Sequence, residues 1–143
     1  MIAKQLSVFI ENRQGRLHEV LDVLKNNSIN ILSLSLADTT EYGLLRLIVN
    51  DPVLGKVKLT ECGFSTMLTD ILVIKIEHKS GSLQGLLEIM ADKGINIEYM
   101  YGLSVDGDDA FVVLKTSDFE EASAILESEN IATLSVEDIK KLK

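Results

Sequence analysis

Residues 6–52 align without a gap on residues 72–118, at an offset of 66. Nine of the 47 pairs are identical: Leu6/Leu72, Ile10/Ile76, Glu11/Glu77, Gly15/Gly81, Leu17/Leu83, Leu21/Leu87, Ile29/Ile95, Asn30/Asn96 and Ile31/Ile97. Background composition gives roughly three. Other pairs keep their character, among them Val8/Ile74, Arg13/Lys79, Leu24/Met90 and Leu47/Val113. A chain of 143 residues that repeats at this interval holds two versions of one unit. The expected domains are 1–70 and 71–143, the second with a short helical tail over 136–143. No Gly/Ser/Pro-rich linker separates them: the junction reads Ser65-Thr66-Met67-Leu68-Thr69-Asp70-Ile71-Leu72, which suits halves held rigidly together.

Each half reads strand–helix–strand–strand–helix–strand. In the first, Leu6, Val8 and Ile10 alternate with Ser7, Phe9 and Glu11, the period of a half-buried strand. After the turn Asn12-Arg13-Gln14-Gly15, Leu17, Val20, Leu21 and Leu24 fall on one face of a helix over 16–26. Strands over 30–37 and 44–49 follow, joined by a turn at 38–42. Asp51-Pro52 then opens a second helix, with aspartate at the cap and proline in the first turn. The second half repeats this order: a helix carrying Leu83, Leu86, Leu87 and Met90, a hairpin turn at Asp106-Gly107, a helix capped by Ser117-Asp118, and a closing strand near 131–135. One register stays open. Tyr99 and Tyr101 fall where the first half has Ser33 and Ser35, so the strand carries a bulge or buries its second face. The order places both helices of a unit on one face of an antiparallel sheet. The expected fold is α+β, two tandem ferredoxin-like βαββαβ units. The strands Leu44–Val49 and Ala110–Leu114 are apolar on both faces, so the sheet face away from the helices is expected to be covered too.

Composition removes several function classes. Fourteen Lys/Arg against 22 Asp/Glu leave a net charge of −8, which argues against nucleic acid and anionic membranes as partners. The single cysteine, Cys62, permits no internal disulfide and fits a reducing, cytoplasmic setting. No run approaches the ~20 apolar residues of a spanning helix. There is no Gly-x-Ser-x-Gly, P-loop, dinucleotide fingerprint or His-Glu-x-x-His, so no enzyme activity is expected. Two histidines and one cysteine make no convincing metal site, and neither metal nor cofactor is expected. Asp106-Gly107-Asp108-Asp109 lacks the length and distal glutamate of a calcium loop.

Glu11-Asn12-Arg13-Gln14-Gly15-Arg16-Leu17 followed by Ser28-Ile29-Asn30-Ile31 resembles the ACT domain. So does Glu77-His78-Lys79-Ser80-Gly81-Ser82-Leu83 followed by Gly94-Ile95-Asn96-Ile97. The resemblance covers nearly the whole chain, twice. The resemblance to the serine-sensing domain of 3-phosphoglycerate dehydrogenase is closest in Glu-Asn-Arg-Gln-Gly, which favours the first half as ligand binder. The chain departs from the family pattern at Gln14 and Ser80, where proline is usual, and at Ser28, where glycine is usual. The resemblance implies a regulatory protein that binds a small amino acid between paired units and modulates a partner enzyme or regulator, as a homodimer. It implies ligand contacts from Asn12, Arg13, Gln14, Gly15, Arg16, Leu17, Asn30, Ile31, His78, Gly81 and Asn96, with a turn from one half meeting a second strand from the other. Physical chemistry agrees: spare amides at a helix N-terminus favour a carboxylate, and asparagine offers donor and acceptor together. Plainer roles compete. Gly15 and Gly81 turn the chain, Asn30 and Asn96 cap a strand start, and Arg13, Arg16 and Lys79 are solvated charges. The alternative function is an assembly or dimerisation module that acts through protein contacts without a ligand.

Overall fold

A computed structural model of the chain describes residues 3–11, 13–38, 41–106 and 108–141. The elements are β1 (Ala3–Glu11), α1 (Arg16–Asn26), β2 (Ile31–Asp38), β3 (Tyr42–Val49), α2 (Pro52–Glu61), β4 (Ser65–Glu77), α3 (Ser82–Asp92), β5 (Ile97–Asp106), β6 (Asp109–Thr116), α4 (Phe119–Ser128) and α5 (Val136–Lys140). Two compact units divide them: an N-terminal unit of residues 4–69 with 140–143, and a C-terminal unit of residues 70–139 with 1–3. Asn12 and Gly107, which the sequence puts in turns, lie outside the described residues, as do residues 39 and 40 of the first hairpin turn.

In the N-terminal unit the strand order is β2-β3-β1-β4, with residues 65–69 of β4 belonging here. Antiparallel pairing sets Leu6 against Leu47 and Val8 against Leu45. These alternate residues meet Val20 and Leu24 of α1 and Leu59 of α2 in one core, so both helices cover the same sheet face. Helix α2 starts where Asp51 accepts a hydrogen bond from the Leu54 N–H at 3.1 Å, with Pro52 at its first position. The C-terminal unit repeats the plan with order β4-β6-β5. Leu72, Ile74, Val112 and Leu114 pack on Leu86 and Met90 of α3 and Ala122, Ile125 and Leu126 of α4. Asp118 caps α4 by accepting from the Glu121 N–H at 3.0 Å. The fold is α+β with antiparallel pairing throughout the registers described, as the periodicity indicates.

The gapless alignment holds only as far as Leu36/Gly102. Pairing shifts between Gly102 and Ser104, where β5 carries one extra residue, Leu103. Beyond it the halves correspond at an offset of 67. Leu47, opposite Leu6, matches Leu114, opposite Leu72, and not Val113. The cap Asp51 likewise matches Asp118. Of the two readings of the β5 register, the bulge is present, while the second face is only half-buried at Tyr99 and Tyr101. Tyr99 and Tyr101 stack with ring centroids 6.5 Å apart on the strand positions facing away from the core, where Val73 and Val113 are fully buried. The closing strand near 131–135 shrinks to a single bridge between Ile74 and Thr133, flanked by Lys75 N–H to Ala132 O at 3.0 Å and Leu134 N–H to Val73 O at 2.8 Å. Of the tail, α5 spans five residues, opened by Ser135 and Asp138 bonding reciprocally as a capping box.

Candidate functional site

The two glycine turns share three backbone features among the described residues. In the first, Arg13 N–H donates to Glu11 O at 2.8 Å, Gly15 adopts φ 88°, and Gly15 O accepts the first helical bond from Glu19 at 3.0 Å. In the second, Lys79 N–H donates to Glu77 O at 3.0 Å, Gly81 adopts φ 87°, and Gly81 O accepts from Gly85 at 2.9 Å. Only glycine takes that backbone conformation cheaply. The result is a helix N-terminus with no side-chain cap in α1 and α3, whereas α2 and α4 are closed by aspartates. Each turn also carries a basic–acidic pair at its rim: Arg13 with Glu11 at 3.0 Å, and Lys79 with Glu77 at 2.8 Å. The Glu77 hydrogen bond and charge raise the Lys79 ammonium above its ordinary 10.5.

The surroundings of the two turns differ. Beside the second, a cavity of about 570 Å³ opens within the C-terminal unit. Ile76, Leu86, Ile89 and Ile131 form its apolar wall, and Ser82 and Gly85 stand on the α3 side. Its charged rim holds two ion pairs, Lys75–Asp109 at 3.2 Å and Lys79–Glu77. The volume is that of a small-molecule pocket. In the N-terminal unit the residues corresponding to Ser82, Gly85 and Ile131 are Arg16, Glu19 and Phe64. There the Arg16 guanidinium lies 4.2 Å from the centre of the Phe64 ring and its Nη1 donates to Glu19 at 2.5 Å. Arg16 thus reaches across the space that stands open in the other unit. Its Nε is buried without a hydrogen-bond partner.

The remaining residues named from sequence are distributed as follows. Arg13, Gln14 and Gly15 are exposed at the first turn. Leu17 and Ile31 pack against the N-terminal core. Asn30 sits at the far end of α1 from that turn, roughly 16 Å away for eleven helical residues. One small ligand therefore cannot touch both within a unit. Asn30 N–H donates to Asn50 Oδ1 at 2.9 Å, and its carbonyl accepts from Asn50 N–H at 3.1 Å. The Asn96 carbonyl is held likewise by Ser117 N–H at 3.0 Å, so both asparagines serve their backbone at the strand start. A second hollow of about 580 Å³ lies there, lined by Leu21, Lys25, Asn30, Ile31 and neighbours, with Lys25 as its one charged group. His78 is exposed, and its N–H donates to Asp108 O at 2.6 Å. Sequence reasoning missed Lys75, Ser82, Gly85, Ile89, Asp109 and Ile131. The available signal was Gly85, a glycine inside an otherwise regular helical pattern.

Among the described residues no cluster of three or more His, Cys, Asp or Glu is arranged for a metal ion. No described helix is long and apolar enough to cross a membrane.

Fold and turns together define a tandem pair of ferredoxin-like units, each with a glycine-opened helix beside its sheet. The family model described as "ACT domain pair" matches residues 1–143, and the chain belongs to that family. It is similar to the crystal structure of protein BT0572 from Bacteroides thetaiotaomicron, with 35% sequence identity and a TM-score of 0.94 over 99% of this chain and 98% of that one. It shares its fold with the regulatory subunit of aspartate kinase from Thermus thermophilus in its ligand-free form, at 16% identity and a TM-score of 0.65, with 89% of each chain covered. The regulatory subunit of aspartate kinase from Thermus flavus is similar at 17% identity and a TM-score of 0.58, over 89% of this chain and 90% of that one. No curated protein matches the chain.

Proposed function

We propose that this protein is a regulatory module that binds a small amino acid, acts as a homodimer, and conveys binding to a partner enzyme or regulator in the cytoplasm. The observation that carries the reading is the cavity beside the Gly81 turn, where an apolar wall meets a rim of both charge signs. A zwitterion needs donors for its carboxylate and acceptors for its ammonium within a few ångströms of each other. Lys79, Ser82 and the uncapped α3 amides supply donors, and Glu77 and Asp109 supply acceptors. Membership of the ACT domain pair family supports the reading, as does the fold shared with regulatory subunits of aspartate kinase. The mechanism is a population shift: ligand favours the conformer it fits best, by its differential affinity for that conformer.

A thermal-shift series over the twenty amino acids tests it, because a ligand that binds the folded form raises the melting temperature. We expect one chemical group of amino acids to stabilise the protein. A flat profile at millimolar concentrations overturns the proposal.

One observation favours the second reading, assembly without ligand. In the N-terminal unit the edge strand β2 has no charged residue over 31–37, and Leu34 and Leu36 are 49% and 48% exposed. Such an edge accepts another strand. Sedimentation of wild type against Leu34→Lys with and without amino acids separates the readings. Dimers that ligand leaves unaltered and Leu34→Lys dissolves favour assembly alone.

A further inference from the structure

We infer that the two halves have divided their roles: the C-terminal unit receives one aliphatic amino acid per chain, and the N-terminal unit keeps the matching place filled with its own Arg16. This deepens the proposed function and rests on it.

Three observations carry the inference. The cavity is a matter of side-chain size, since the backbone of the two turns is the same to within a degree or two in φ at Gly15 and Gly81. Among the lining positions, Ser82 stands for Arg16, Gly85 for Glu19 and Ile131 for Phe64, and on the rim Lys75 stands for Phe9 and Asp109 for Tyr42. Next, Gly85 answers no demand of the fold. It lies inside α3, a Cβ added to it would meet nothing within 4 Å, and glycine costs a helix stability relative to alanine. What its missing side chain leaves is room above the cavity. Lastly, the wall is made of branched aliphatic residues, Ile76, Leu86, Ile89 and Ile131, continuous with the hydrophobic core. A ligand whose side chain is leucine-, isoleucine- or valine-like buries apolar surface there, while the two rim ion pairs meet its charged end. A polar or charged side chain would lose water against that wall without a partner. In the N-terminal unit the aromatic ring of Phe64 replaces Ile131, and the guanidinium stacks on it, so the plug is bound from both sides, by Phe64 and by Glu19.

Isothermal titration of the full chain with leucine, isoleucine, valine, serine, aspartate and lysine decides the matter. Variants transplant the plug or remove it: Ser82→Arg with Gly85→Glu, the single change Gly85→Gln, and Arg16→Ala. Gly85→Gln puts a better helix former in place of glycine, so lost binding there is not lost folding. Circular dichroism confirms the fold of each variant. We expect an aliphatic amino acid to bind at one equivalent per chain, with affinity falling about tenfold or more in both cavity-filling variants and holding in Arg16→Ala. Binding that survives both cavity variants overturns the site. Loss of binding in Arg16→Ala moves the ligand to the N-terminal unit and overturns the division of roles. Preference for serine, aspartate or lysine overturns the ligand class while leaving the proposed function standing. Silence of the wild type towards every amino acid overturns both.

Discussion

Gly55 and Gly85 each sit inside a helix, yet a methyl group would meet different surroundings at the two. At Gly55 a Cβ would lie 2.9 Å from Cδ2 of the fully buried Leu6, so the glycine lets α2 press onto the sheet. At Gly85 the space is open. Gly85→Ala should therefore gain helix propensity of about 1 kcal/mol and raise the melting temperature by roughly 3–5 °C. Gly55→Ala should melt no higher than wild type, its propensity gain consumed by overpacking. Differential scanning fluorimetry of the two variants side by side checks the contrast. Ser28 offers a second test. It ends α1 with φ 57°, where the matching Gly94 of the other half has φ 77°. A left-handed residue with a Cβ costs roughly 1 kcal/mol, so Ser28→Gly should stabilise by about that amount in urea unfolding. Lys79 gives a pH prediction. Its raised value means that its pairing with Glu77 is fully present below pH 10.5 and is lost as pH climbs through the folded-state value. NMR titration should find the Lys79 ammonium above 10.5 in wild type and closer to it in Glu77→Gln.

At the scale of elements, the halves differ by a single inserted residue, and its position explains what the sequence comparison could and could not reveal. All nine identities of the gapless alignment lie at or before Ile31. Past the bulge at Leu103, the shifted correspondence pairs Leu47 with Leu114, Asp51 with Asp118, Leu59 with Leu126 and Thr66 with Thr133. The strands and helices were readable because periods of two and of 3.6 survive a one-residue slip within an element. The exact place of the bulge was not readable, because only hydrogen-bond register shows which residue of Gly102, Leu103 and Ser104 is the extra one. Asp51→Ala and Asp118→Ala should each cost about 1 kcal/mol by loss of one N-terminal hydrogen bond. Chemical denaturation of the single variants measures each loss.

For the whole molecule, family and fold were legible from two seven-residue turns and two strand starts, since these are fixed by local backbone geometry. The cavity was not. Its α3 side comes from residues 82 and 85 and its opposite wall from residues 130–132, segments that meet only once the unit has closed around its core. Charge is unevenly divided as well. Residues 1–70 carry seven Lys/Arg and eight Asp/Glu, a net −1, and residues 71–143 carry seven and 14, a net −7. All three arginines belong to the first half, and among the described residues the cations lining the cavity are Lys75 and Lys79.

The stack of Arg16 on Phe64 reaches past its own unit in one respect. A sensor with two equal receptors in one chain can sharpen its own dose–response curve. On the division of roles proposed above, with the first place taken by an internal stand-in, a single chain would answer metabolite along a simple hyperbola, and any steepness would have to be generated where chains meet.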